Sequence, residues 1–104
     1  MNTGYLKSLS QSIVTKVVND LIGDSENEIP FNSFDELAGY TLGELEFDEL
    51  DLVEFMMNID LLACVTVEDS FFEVKEEELE FNKNINFKEI ADYLYDLMYS
   101  SLNS

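Results

Sequence analysis

The stretch LEFDELDLVEF, from Leu45 to Phe55, marks the point where an acidic loop becomes an apolar helix. Together with Glu44 just before it, the stretch contains six acidic residues. After Asp48, large apolar residues recur at the spacing of one face of an α-helix, which predicts that a helix begins there. One stripe of this helix is Leu50, Val53, Met57 and Leu61, and Leu52, Phe55, Met56 and Ile59 spread apolar surface around much of the cylinder.

Two interpretations of this apolar-rich helix stay open at the level of sequence. In the first, the helix is central to a bundle and is buried nearly all round. In the second, its N-terminal half presents a strip rich in Leu and Met to a partner. The acids around its start favour a basic partner in the second case, because opposite charges attract across an interface.

Two further long helices are predicted, one near each end of the chain. Apolar residues of the first recur at helical spacing as far as Gly23, and glycine is favoured just after the C-terminus of a helix. Asn86 opens the last helix, and Glu89 is placed to complete a capping box with it. The first apolar stripe is Leu6, Leu9, Ile13, Val14, Val17, Val18 and Leu21, and the last is Phe87, Ile90, Ala91, Leu94, Leu97 and Met98.

The two connections are less regular. From Asp24 to Phe47 a proline and two glycines interrupt the periodicity, so we expect a long ordered loop with one helical turn, capped by Ser33 with Glu36. In the second connection Val65 and Val67 alternate as in a short strand. We expect a short helix there and keep a small hairpin near residues 65–75 as the alternative. The predicted fold is all-α, with three long helices and a short third element in one domain of residues 1–104.

The charge of the chain excludes several classes of function. Its 104 residues include 23 Asp and Glu but only five basic residues, for a formal charge of −18. Such a chain repels phosphate backbones and anionic membrane surfaces, so we expect no direct nucleic-acid or membrane binding, and it attracts basic proteins. No apolar run approaches the length of a bilayer span and no signal-peptide pattern begins the chain, which predicts a cytoplasmic protein.

Few side chains of the sequence are suited to metal binding or nucleophilic catalysis. The chain has no His and a single cysteine, Cys64, which excludes the usual general base and a multi-thiolate zinc site. Cys64 lies among apolar residues and is expected to be buried. Calcium binding by the acids from Glu46 to Asp51 is disfavoured, because the glycine turn of a calcium loop is missing. We therefore expect no catalytic residues, no metal and no cofactor.

The order of these landmarks resembles the acyl carrier protein family. In that family a leucine, two variable residues, Asp-Ser-Leu and a further acid open the second helix. NSFDELAG upstream is similar to the Ser-Phe and Leu-Gly element of the family's first loop, and FKEIADYL is similar to the pattern of its last helix. The resemblance spans roughly residues 12–95, with a longer first loop and an expanded acidic segment around residues 73–84. The residues of the opening stretch that fit are Leu45, Asp48, Leu50, Asp51, Val53 and Glu54.

The chain departs from the family at the position that carries the family's prosthetic group. The resemblance places Glu49 at the position of the serine whose hydroxyl carries 4′-phosphopantetheine, and a carboxylate cannot form that phosphodiester. The resemblance thus implies an acyl-carrier-like bundle without its prosthetic group. Glu49 either imitates the charge of the modified serine or only starts the helix, where its charge is favourable to the macrodipole.

These observations favour an acidic protein-binding module over an enzyme. The most concrete version is an immunity protein or antitoxin that binds and neutralises a basic nuclease toxin. The alternative is a working acyl carrier protein of fatty-acid or polyketide synthesis, modified at another serine such as Ser33. The residues expected to contact the partner are Glu46, Asp48, Glu49, Asp51, Leu52, Glu54, Phe55 and Met56.

Overall fold

The computed structural model describes residues 3–23, 30–72 and 81–103. Within these ranges no strand is formed, although an isolated antiparallel bridge joins Thr41 to Asn86. The all-α prediction, with three long helices, is confirmed. The described helices are α1 (Thr3–Ile22), α2 (Phe34–Leu37), α3 (Glu49–Ala63) and α4 (Phe87–Asn103), with a 3₁₀ turn at Asp69–Phe71.

Helix α1 is the element against which the other helices pack, since its main contacts are with α2, α3 and α4. Its C-terminus follows the predicted pattern, because the Gly23 backbone N–H donates to the Asn19 carbonyl oxygen at 3.0 Å. The apolar spacing that predicts this helix also places its core face correctly. Its buried residues include Leu6, Ile13, Val14, Val17 and Val18.

Helix α4 begins with the predicted capping box. The Glu89 N–H donates to Asn86 Oδ1 at 2.8 Å, and the Asn86 N–H donates to Glu89 Oε1 at 3.4 Å. These bonds satisfy amides that the first turn of a helix leaves without intrahelical partners. The predicted stripe faces the core, with Phe87, Ile90, Ala91, Leu94 and Met98 buried and Leu97 half-buried.

The predicted turn in the first connection forms as α2, but its predicted cap is wrong. The Ser33 backbone is extended, as at a helix N-cap, yet its hydroxyl makes no capping hydrogen bond. Instead the Asn32 N–H donates to Glu36 Oε1 at 3.2 Å, so the glutamate alone ties the entry to the turn. Residues 24–29 of this connection lie outside the described ranges.

The end of the first connection is held to the entry of α4 by backbone hydrogen bonds. This close approach favours glycine at position 43, because an added Cβ would lie 3.2 Å from the Lys83 Cβ and carbonyl oxygen, and Lys83 would have to shift by a few tenths of an ångström. We call residues 38–43 the tethered loop. Its bonds are Leu42 N–H to Ile85 O (3.0 Å), Gly43 N–H to Lys83 O (2.9 Å), Phe87 N–H to Tyr40 O (3.0 Å) and Lys88 N–H to Ala38 O (3.2 Å).

The segment after α3 corrects the expectation for Cys64. The cysteine is exposed rather than buried, because it ends the helix in the left-handed conformation with φ of 55°. Only glycine adopts that conformation routinely, so the position is strained for a cysteine.

The short third element is the 3₁₀ turn at Asp69–Phe71. No strand forms in residues 65–72, so the described part of this segment contains no hairpin, and residues 73–75 lie outside it. The Phe71 ring stacks on Tyr93 of α4 with 4.1 Å between ring centroids, and Phe72 is buried. These contacts attach the segment to α4.

Candidate functional site

The acids at the start of α3 divide into two groups, and the first group has local structural roles. The Asp51 N–H donates to Asp48 Oδ1 at 2.8 Å, and the Asp48 N–H donates to Asp51 Oδ2 at 3.1 Å, which together form a capping box. Seven residues earlier, around a turn of the preceding loop, Thr41 and Glu44 exchange the equivalent bonds at 2.9 and 3.1 Å. Helix capping therefore explains Asp48 and Asp51, and the loop turn explains Glu44.

The second group consists of Glu46, Glu49 and Glu54, which we call the free acids. All three are exposed, and their side chains make no hydrogen bond or ion pair with another described residue. Glu46 has a φ of 59°, a left-handed conformation uncommon for residues other than glycine. Glu49 lies in the first turn of α3, where a negative charge stabilises the helix by a few tenths to about 1 kcal/mol. Neither Glu46 nor Glu54 has a comparable structural role.

The face of α3 that packs on the core contains Leu52, Phe55 and Ile59, all buried. Phe55 forms an edge-to-face cluster with Phe47 and Phe87, with ring centroids 5.9 to 6.1 Å apart. The prediction that Leu52 and Phe55 lie on a partner-facing surface is therefore wrong with respect to exposure. Met56 is half-buried and packs against the core from the side.

The opposite face of α3 carries a row of apolar side chains exposed to solvent. Residues separated by seven and eleven positions lie nearly above one another on a helix, so Leu50, Met57 and Leu61 form one line, with Val53 beside it. The exposed fractions are 65% for Leu50, 45% for Val53, 59% for Met57 and 76% for Leu61. We call these four residues the α3 strip.

The α3 strip decides between the two interpretations of this helix. The interpretation that α3 is central and buried nearly all round is wrong, and the helix that contacts the other helices is α1. An exposed apolar strip is present, and it runs along the whole helix rather than its N-terminal half. Sequence reasoning did not select Leu50, Val53, Met57 and Leu61 as site residues, although their regular spacing was the available signal.

The electrostatic surroundings of the α3 strip are negative. Helix α3 contains no Lys, Arg or His. Lys16 and Lys88 pair instead with Asp20 and Asp92 on their own helices, each at 3.3 Å. No cation of α3 therefore offsets the charge of the free acids beside the strip.

The described residues provide no site for a phosphopantetheine group at Glu49, and no metal site. Glu49 is the first residue of α3, and it offers no hydroxyl for a phosphodiester. Ser33 is exposed before the short α2, not at the start of a long helix. In the described part of the chain, no group of three or more His, Cys, Asp or Glu side chains is arranged to hold a metal ion. None of the helices there combines the length and apolar content of a bilayer-crossing segment.

Two open grooves lie away from the α3 strip. One, of about 580 Å³, runs between α1 and residues 31–34 and is lined mainly by hydroxyl and amide side chains such as Ser8, Thr15 and Asn19. The other, of about 330 Å³, lies between α1, the end of α3 and α4, and its apolar lining includes Leu9 and Leu62. Neither groove contains a residue predicted to bind a partner.

Comparison with known proteins gives no relative from which a function can be transferred. The chain matches no protein-family model, and no curated protein or solved structure is significantly similar to it. The acyl carrier resemblance therefore depends on the residues of the chain itself.

Proposed function

We propose that this protein is an acidic protein-binding module whose α3 surface binds a basic protein. The observation that carries the proposal is the exposed α3 strip, with Glu49 and Glu54 on the same helix and Glu46 in the loop before it, three acids without structural partners among the described residues. An apolar row that folding leaves in water is characteristic of an interaction site when polar residues surround it.

The two components of this surface have different tasks. The free acids and the overall charge of −18 attract a basic partner from a distance and increase the rate of encounter. Charge at a wet rim contributes little lasting affinity, whereas apolar side chains that become desolvated at the centre of an interface contribute most of it. The free acids therefore select the partner, and the α3 strip holds it.

The most concrete form of this function is an immunity protein or antitoxin against a basic nuclease toxin. A nuclease needs a positively charged cleft because its substrate is a polyanion. A small acidic protein is attracted to the same cleft and excludes the substrate when it binds. The charge of the chain and the missing attachment serine support this form, and the acyl-carrier-like bundle is part of the same proposal.

Charge reversal on α3 tests the proposal. The test variant is Glu49→Lys with Glu54→Lys. The matched control is Asp35→Lys with Asp96→Lys, which reverses the same number of charges at exposed sites on α2 and α4. After the partner is identified by affinity capture, association rates are measured by stopped flow over a series of salt concentrations. We expect the α3 pair to slow association by about tenfold or more and the control by much less.

The immunity version adds a cellular measurement. Cells that make the cognate toxin should survive with the native chain and with the control pair, and should die with the α3 pair. Circular dichroism establishes that each variant is folded. Full protection by the folded α3 pair would show that the partner binds elsewhere.

The absence of a prosthetic group is tested by mass. Intact-mass measurement after incubation with a broad-specificity phosphopantetheinyl transferase and coenzyme A should show no adduct, since Glu49 has no hydroxyl. A single adduct on Ser33 or another serine would contradict this expectation and favour the carrier alternative.

A further inference from the structure

We propose that the element of the partner that covers the α3 strip is a single basic, amphipathic α-helix lying along α3. This inference rests on the proposed function and specifies the shape of the partner. It follows from the length and width of the α3 strip and from the groups on its two sides.

The strip has the length and width of a seam, meaning the narrow apolar contact between two helices packed side by side. Leu50 and Leu61 are separated by eleven positions, which corresponds to about 16 Å along a helix axis. The strip is one or two side chains wide, because the next positions around the cylinder are polar or turn toward the core. A surface this long and narrow fits the apolar stripe of a second helix of about three turns.

The spacing within the strip supports helix-on-helix packing. Leu50, Val53 and Met57 follow the alternating spacing of the core positions in a two-helix seam. The next core position is occupied by Asp60, whose Oδ1 accepts the Val67 N–H at 2.8 Å, and the apolar row ends at Leu61. The seam is therefore short, and a partner helix of about 12 to 15 residues covers it.

The two sides of the strip determine the charge of this helix. Glu54 and Asn58 lie on one side and Glu49 and Asp60 on the other, as their positions around the helix require. A partner helix in the seam places its flanking residues opposite these groups. Lys or Arg on both flanks complements them, whereas acidic residues there would be repelled.

A second copy of this chain is a poor occupant of the strip. Pairing two α3 helices would bring the acids of both copies together, and each copy has a net charge of −18. The described residues also form no sheet, so they offer no edge to which a partner could add a strand. A basic helix from another protein satisfies both the apolar and the charged part of the surface.

Two labelled peptides test this proposal on the intact protein. The first is an amphipathic peptide of about 15 residues with Leu at helix-seam positions and Lys on the flanks. The second has the same composition, with Leu distributed around the helix. Binding is followed by fluorescence anisotropy at about 0.15 M salt, where charges more than about 8 Å apart are largely screened. We expect the amphipathic peptide to bind at least about tenfold more tightly.

Variants of the protein locate the contact. Leu50→Gln with Met57→Gln should weaken binding of the amphipathic peptide by about tenfold, because it removes apolar character while keeping side-chain size. The matched control is Tyr5→Gln with Leu102→Gln, two exposed apolar residues on α1 and α4, and it should leave the affinity nearly unchanged. Leu61→Gln is a second strip variant for use if the double variant does not fold.

Each other outcome overturns a defined part of the argument. Equal binding of both peptides, unaffected by the strip variants, would overturn the helix proposal and leave charge-driven binding of a basic partner intact. If neither peptide binds, even at low salt, the proposed function is overturned as well. Self-association of the native chain that the strip variants abolish would show that a second copy covers the strip.

Discussion

Leu50 and Leu52 lie on the same helix two positions apart, yet Leu50 is 65% exposed and Leu52 is buried. The core face of α3 packs against α1 and the Phe47 and Phe87 rings, whereas its outer face projects the α3 strip into solvent. The two faces are built from the same kinds of residue. Apolar content therefore does not by itself identify a core, because the location of neighbouring elements decides which face becomes buried.

The largest difference between the two faces should appear in stability. Phe55→Ala removes one ring of the three-phenylalanine cluster and leaves a cavity, so we expect the free energy of unfolding to fall by about 3 to 5 kcal/mol. Leu50→Ala on the outer face should change it by no more than about 0.5 kcal/mol. Urea denaturation of both variants measures the difference. Similar losses for the two would mean that both faces are packed in solution.

The second prediction separates the capping acids from the free acids. Asp48→Ala removes half of the capping box at the start of α3 and should lower the free energy of unfolding by about 1 kcal/mol. Glu49→Ala should have a smaller effect, limited to its interaction with the helix dipole. Thermal or urea unfolding of both variants shows which substitution lowers the free energy of unfolding more. The opposite order would show that Glu49 has a structural role.

The third prediction concerns the residue where both faces of α3 end. Cys64→Gly relieves the left-handed strain without removing a buried contact, because Cys64 is exposed. The gain is reduced by the greater freedom of glycine in the unfolded chain, so we expect a stabilisation of about 0.5 kcal/mol. Cys64→Ala, which keeps the strain, is the control. Equal stabilities of the glycine and alanine variants would mean that the strain has little energetic effect.

The smallest effect should come from the charge of the outer face. Raising the salt concentration from about 0.01 to 0.15 M shortens the screening length from about 30 to 8 Å and should raise the melting temperature, because repulsion among the carboxylates weakens. Glu54→Lys should raise stability at low salt by up to about 0.5 kcal/mol and reduce this salt response. Differential scanning calorimetry measures both. A melting temperature independent of salt would show that repulsion among the carboxylates does not lower the stability.

The sequence predicts the three long helices because each has strong apolar spacing and a clear boundary, such as the Asn86 and Glu89 capping box. It does not predict which face of α3 is buried, since both of its stripes are apolar and their fate depends on packing with distant residues. The same limit explains why Leu52 and Phe55, which neighbour the acids in sequence, are predicted to face a partner although they are buried. Cys64 shows a related limit, because its apolar neighbours suggest burial but the end of the helix turns it outward.

The tethered loop has a consequence for the entropy of binding. Hydrogen bonds from Leu42 and Gly43 to the segment before α4 fix the chain just upstream of Glu46 and Asp48. A recognition surface ordered by folding loses less conformational entropy when a partner arrives than one that must become ordered on binding. The amides of Leu42 and Gly43 should accordingly exchange with solvent as slowly as those of the core helices, both before and after complex formation.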